Sequence, residues 1–242
     1  MTTVLSIGTT HPWNIAGVGL DLRIGAELNV AVLTVVCAVS AQDAHTLRAL
    51  EPVSVATVEA QLAAIPWEAI DAVRVGALGS AGASHAVARA IGQRAIPAVV
   101  DPVVATTHGE PLAGEATLEA IREALLPLHN VILTPNLREA EMLLGRAIER
   151  EEITAAAQEL HARGARAVLL KGGHLQGDPA DALADAGGVE LLTAARIGGD
   201  MRGTGCTLAM ALACALARGD ALRDAVRFAR GFVREKIAQA NP

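Results

Sequence analysis

Short apolar, β-branched runs alternate with longer alanine-rich stretches, and this alternation constrains the fold more than any other feature of the chain. The runs are Val4–Ile7, Val30–Val36, Ala72–Val75, Ala98–Val103, Val131–Leu133 and Ala167–Leu170. Each ends near Gly, Pro or Thr. Runs of this kind suit a sheet covered on both faces, which in practice is a parallel one. Helical spacing fills the gaps, over Ala16–Leu28, Thr57–Ile65, Ser84–Arg94, Glu115–Leu126, Asn136–Leu144, Glu151–Ala162, Thr204–Ala217 and Asp220–Ala240. Gly145 and Gly164 stand where helices stop, and Asp220 is a suitable N-cap for the last one. The segment Leu175–Gly188 reads as a loop or flap, with Val189–Leu192 returning as an edge strand. Strands alternating with helices imply right-handed βαβ units, hence one doubly wound α/β domain over residues 1–242. In such sheets ligands sit at the carboxyl ends of the strands, so the residues just after each run carry the functional reading.

Composition narrows the function classes. Hydrophobic residues make up 52% of the chain and charged ones 19%, enough apolar surface to offset the entropy of ordering. Lys and Arg number 20 against 26 Asp and Glu, which argues against a nucleic-acid binder driven by charge. Tyr is absent and Phe and Trp are two each, so base-stacking platforms are not expected. Cys37, Cys206 and Cys214 form no CxxC pair and are odd in number, which points to a reducing compartment. The N-terminus lacks the basic start and apolar core of a signal peptide. The apolar run Thr207–Leu216 falls short of the about 20 residues a bilayer needs. The expectation is a cytoplasmic protein with a small-molecule substrate and no nucleic-acid or membrane partner.

Four segments carry the candidate chemistry. Gly203-Thr204-Gly205-Cys206-Thr207 opens a helix. Its glycines let the backbone approach a ligand, and the free N–H groups of a helix start attract anions. Cys206 would sit in the first turn, where a thiol's pKa is lowered and it can act as a base. The same residues also read as a plain glycine-rich helix start with a small buried cysteine. Lys171, in Leu170-Lys171-Gly172-Gly173-His174, leaves a strand end, either towards phosphate oxygens or into solvent. Asn136 and Glu139, in Thr134-Pro135-Asn136-Leu137-Arg138-Glu139, form a variant capping box, and the same pair could stand near a hydrated Mg²⁺ that bridges nucleotide phosphates. Asp101 ends a strand before Pro102, where it would serve a metal shell, a phosphate-facing lysine or an Asp-Pro turn.

Together and in this order, the segments resemble the hydroxymethylpyrimidine/phosphomethylpyrimidine kinase family of thiamine biosynthesis, within the ribokinase-like superfamily. The matching stretches are SAQD (Ser40–Asp43), RVGAL (Arg74–Leu78), VVDPVV (Val99–Val104), ILTPNLREAEMLLG (Ile132–Gly145), AVLLKGGH (Ala167–His174) and RGTGCTLAMALA (Arg202–Ala213). The resemblance implies a three-layer α/β/α sandwich with a mostly parallel central sheet, a homodimer, and ATP with Mg²⁺ as cofactors. It implies transfer of a phosphoryl group to 4-amino-5-hydroxymethyl-2-methylpyrimidine or its monophosphate. Cys206 matches the family's base or anion-hole position, and Gly203, Thr204 and Gly205 match its anion-hole loop. Lys171 matches the phosphate-facing lysine, and Thr204 and Asn136 join it on the nucleotide. Asp101, Asn136 and Glu139 fall to the metal shell, and Gln42 to the pyrimidine ring, where a carboxamide offers both donor and acceptor. Gly8, Gly17, Trp13, Ala77 and Val104 complete the substrate-facing set.

The departures fall on the first loop. The family's GSDPSGGAGIQADLK is replaced by the stretch from Gly8 to Arg23, which loses the Gly-Gly pair and puts Thr10 or His11 where an acidic residue is usual. Ala77 replaces the usual methionine of K-I-G-M-L. Trp13 would stack on a planar ring or pack on the domain edge. His11 reads as a solvated loop histidine or, when protonated, a phosphate contact. Pyridoxal-type or other hydroxymethyl heteroaromatics stay open as acceptors, as does a non-catalytic regulatory relative that binds the pyrimidine phosphate.

Overall fold

The computed structural model describes residues 1–43, 45–106, 109–173, 178–199 and 201–240. The chain runs through β1 (Thr3–Thr10), α1 (Gly17–Glu27), β2 (Ala31–Gln42), β3 (Leu47–Pro52), α2 (Val55–Ala63), β4 (Ala72–Val75) and α3 (Ala81–Gly92). It continues through β5 (Ala98–Val100), α4 (Glu115–Ala120), β6 (Val131–Leu133), α5 (Leu137–Leu144), α6 (Ile153–His161), β7 (Ala167–Leu170), β8 (Ala180–Asp185) and β9 (Gly188–Thr193). Two helices finish it, α7 (Thr204–Ala217) and α8 (Leu222–Ala240).

Among the described residues nine strands form one sheet, ordered β3-β2-β1-β4-β5-β6-β7-β8-β9. The stretch from β2 to β7 is parallel, and β3, β8 and β9 add antiparallel margins. Each central strand feeds both faces because alternate side chains point to opposite sides. Leu5, Ile7, Val73, Val75, Val100, Leu133 and Leu170 pack with α2 to α6. Val4, Ala72, Val99, Ile132 and Leu169 pack with α1, α7 and α8. The result is the three-layer α/β/α sandwich expected from the sequence. Helix α7 is buried over ten consecutive residues, Thr207–Leu216, which is why that run is apolar all round.

Several expectations need correction. The run Ala98–Val103 is strand only to Val100, because Asp101 and Pro102 leave the sheet. Leu47–Pro52 is a strand that the residue pattern did not announce. Part of the segment read as a flap, Ala180–Asp185, is strand β8, paired on both sides; residues 174–177 lie outside the described residues. Val189–Leu192 does return as the edge strand, β9. Asp220 does not cap the last helix, which begins two residues later at Leu222. The stretch Glu115–Leu126 changes from α to a π turn at Ile121–Leu125.

Candidate active site

The ends of β1, β4, β5, β6 and β7 converge with the start of α7. Lys171 directly follows β7, and its backbone N–H donates to Pro135 O (2.8 Å), which brings it beside Asn136. Its ammonium lies 2.8 Å from Asp101 Oδ1. Burial alone would push that ammonium's pKa down, but Asp101 and Glu139 outweigh it and hold it above the usual lysine range. Gly205 closes the group: a methyl there would come within 3.2 Å of Lys171 Nζ and 3.7 Å of Asp101 Oδ2.

Two glycines interlock the first loop with α7. Gly203 has φ 76° and is the N-cap of α7, with no side chain capping the helix start. A Cβ there would collide with Ile15 O. Gly17, with φ 61°, would collide with Thr9 O. Its N–H meets the Cys206 thiol. Gly203→Ala is therefore expected to lower kcat at least about tenfold, through strain and a displaced Ile15, and to shift Tm downward. Steady-state kinetics and thermal melting check both.

Cys206 itself departs from expectation. Its place in the first turn does not lower its thiol pKa. Burial pushes the thiol up, and Asp101 and Asp21 add to the rise against the opposing pull of Arg74 and the Gly17 N–H. Cys37 and Cys214 are buried, with thiols pushed up to about 12.

Asn136 and Glu139 form the capping box of α5. Asn136 Oδ1 accepts from Glu139 N (2.8 Å), and Glu139 Oε2 accepts from Asn136 N (2.7 Å). Burial pushes the Glu139 carboxyl up to about 7, with Lys171 opposing the rise and Asp101 adding to it. The cap and a site near phosphates are thus compatible, since Glu139 shares its electrostatic field with Lys171 and Asp101.

The substrate-facing set is less uniform. Gly8 ends the part of β1 paired in register with β2, and a Cβ there would stand 3.6 Å from Ala77 O. Ala77 is half-buried, and its carbonyl accepts from Thr9 Oγ1 (3.0 Å). Gln42 is half-buried at the last position of β2, after a bulge. The following turn is tied to the α7 loop by Arg202, which donates to Asp43 O (3.1 Å). Val104 packs in the hydrophobic core beside the site. Trp13 is 57% exposed. His11 is not solvated: it is buried, its pKa is lowered by burial, and its Nε2 sits between Ala16 O (3.1 Å) and Ala16 N (3.2 Å), cinching the first loop.

A family model described as phosphomethylpyrimidine kinase matches residues 13–242. The chain belongs to that family. The hydroxymethylpyrimidine/phosphomethylpyrimidine kinase of Streptomyces coelicolor is 36% identical over 99% of this chain and 90% of its own length. That of Rhizobium meliloti is 37% identical over 100% and 92%. Among solved structures, the phosphomethylpyrimidine kinase of Clostridium difficile superposes with a TM-score of 0.86 at 26% identity, covering 98% of this chain and 100% of that one. The pyridoxal kinase of Staphylococcus aureus in complex with pyridoxal gives 0.88 at 28%, covering 98% and 88%.

Within this kinase, Asp101 is committed to cations. Lys171 holds one oxygen and Arg74 approaches the other at 3.6 Å. Among the described residues no group of three or more His, Cys, Asp or Glu side chains could cage a metal. Near Lys171 stand the oxygen donors Asn136 Oδ1 and the Glu139 carboxylate, both engaged in the capping box. Sequence reasoning missed Asp21 and the depth of Arg74. The signal for the latter was present as one charged residue inside the otherwise apolar run Ala72–Val75.

Proposed function

We propose that this kinase transfers the γ-phosphoryl group of ATP to the hydroxymethyl oxygen of 4-amino-5-hydroxymethyl-2-methylpyrimidine, or to the phosphate of its monophosphate, in thiamine biosynthesis. The Lys171–Asp101 pair set beside the uncapped start of α7 carries this reading. The acceptor oxygen bonds to the γ phosphorus; from the hydroxymethyl acceptor its proton passes to the Cys206 thiolate, which becomes the thiol. The bond from phosphorus to the bridging oxygen breaks, and ADP leaves. The N–H groups at Gly203 to Cys206 donate to the equatorial oxygens, and Lys171 neutralises charge that spreads over them. Mg²⁺ near Asn136 and Glu139 would supply further neutralisation through its waters and the phosphates. Asp101 orients Lys171. Gln42, Gly8, Gly17, Ala77 and Val104 shape the acceptor end.

Trp13 stacks on the acceptor ring in this reading. Trp13→Ala should raise KM for the acceptor up to about tenfold with kcat within about threefold, since stacking acts on ground and transition states alike.

Pyridoxal is the second candidate acceptor, favoured by the likeness to the pyridoxal-bound kinase and by the altered first loop. ATP consumption with product mass, run on the hydroxymethylpyrimidine, its monophosphate and pyridoxal in parallel, separates the two. Diphosphate formed from the monophosphate supports the first, and turnover of pyridoxal alone replaces it with the second. A cytoplasmic homodimer belongs to the same reading, and a monomer in sedimentation at working concentration would remove that part.

A further inference from the structure

Under the phosphate-facing loop lies a line of buried charges, of which the transfer steps use only the last two, Asp101 and Lys171. Ser6 Oγ, on β1, donates to Asp21 Oδ2, on α1 (2.6 Å). The same oxygen lies 3.4 Å from Arg74 Nη1, on β4. Arg74 Nη2 lies 3.6 Å from Asp101 Oδ2, and Asp101 Oδ1 holds Lys171 Nζ at 2.8 Å. Arg74 and Asp21 are fully buried.

This is a costly way to fill a core. Taking such ions out of water is not repaid unless their hydrogen bonds are complete. Here the Arg74 Nε and Nη donors and Asp21 Oδ1 make no hydrogen bond of good geometry. The surroundings are nevertheless shaped for the guanidinium. A Cβ at Gly76 would collide with Arg74 Nη1. A group kept at such cost and given such room has a use beyond packing.

We propose that Arg74 is a positioning residue whose guanidinium, held from behind by Asp21, fixes the Asp101 carboxylate and through it Lys171 against the start of α7. The inference deepens the site reading above and rests on it. Asp101 divides its two oxygens between the Lys171 ammonium, hydrogen-bonded at 2.8 Å, and the Arg74 guanidinium, whose charge stands 3.6 Å away in the buried core. Without Arg74 the carboxylate can turn and Lys171 can follow it. The guanidinium also faces Cys206, whose other charged neighbours are Asp101, Asp21 and Lys171. Arg74 thus lies between the Asp101 that holds the lysine and the Cys206 of the anion-binding turn, and catalysis by preorganised charge is sensitive to the spacing of those groups.

The test compares Arg74→Met and Arg74→Lys with the wild-type enzyme, using ATP and whichever acceptor the panel identifies. Arg74→Met should lose about 100-fold in kcat, with both KM values within about threefold. Arg74→Lys should recover at least about tenfold of that loss, because it keeps the charge. Arg74→Met strands Asp21, so the double variant Asp21→Asn/Arg74→Met removes the stranded charge. It should melt near the wild type while its kcat stays low. A stable double variant turning over within about threefold of wild type overturns the proposal, as does a fall in kcat matched by equal rises in KM. If these variants do not fold, the Arg74 guanidinium resonances of the wild-type protein decide it by NMR. They should shift when a non-hydrolysable ATP analogue and acceptor bind, and unmoved resonances overturn the proposal. Full turnover in Cys206→Ala and Lys171→Met would sink the site reading itself. Loss in those two with active Arg74 variants would sink this inference alone.

Discussion

Cys206→Ala is expected to lower kcat about 100-fold while KM for the acceptor stays within about threefold. The thiol lies in the first turn of α7, next to the Gly17 N–H and facing Arg74. Losing a proton acceptor there slows the transfer of the hydroxyl proton but removes little that grips the ground state. Burial raises the thiol pKa, so the basic form is scarce at neutral pH. Wild-type kcat should therefore climb as pH rises through the alkaline range, and Cys206→Ala should abolish the climb. Kinetics across pH with the hydroxymethyl acceptor read both effects. Unchanged turnover would remove Cys206 from the chemistry, and a mild loss without a change in pH profile would leave it only as lining of the anion hole.

Lys171→Met should cost more, about a thousandfold in kcat, because a cation aimed at transferring charge is worth most where water is excluded. It should also destabilise the fold by about 3 kcal/mol, since Asp101 is then buried with one of its two cations gone. The two effects separate in Lys171→Met/Asp101→Asn. Removing the stranded carboxylate should restore most of the lost Tm and none of the rate. Recovery of rate along with stability would show that Lys171 supports the fold and not the transfer.

The central sheet was legible because its strands are buried on both faces, and unbroken apolar runs such as Val131–Leu133 and Ala167–Leu170 have few other uses. The marginal strands were not. Leu47–Pro52 contains arginine and glutamate, and Ala180–Asp185 is half alanine with two aspartates, so both owe their extended form to the neighbours they pair with. At the site, the places of Lys171 and of the Asn136–Glu139 box could be read from position alone, since Lys171 directly follows β7 and Asn136 stands just past Pro135 after β6. The Asp21–Arg74–Asp101 line could not. Its members lie far apart in the chain and meet only when α1, β4 and the end of β5 are packed together. His11 was misread for a similar reason, because a loop histidine looks solvated until the loop folds over it.

The burial of α7 has a kinetic consequence. A helix sheathed on all sides over ten residues exchanges its amide hydrogens only when the whole domain opens. The free N–H groups of its first turn lie on part-buried residues ahead of that core, so they should exchange faster than Thr207–Leu216 while the anchored helix behind them holds the turn in place. Deuterium should enter the loop from His11 to Ala16, which lies outside the helices and strands, well before the core of α7.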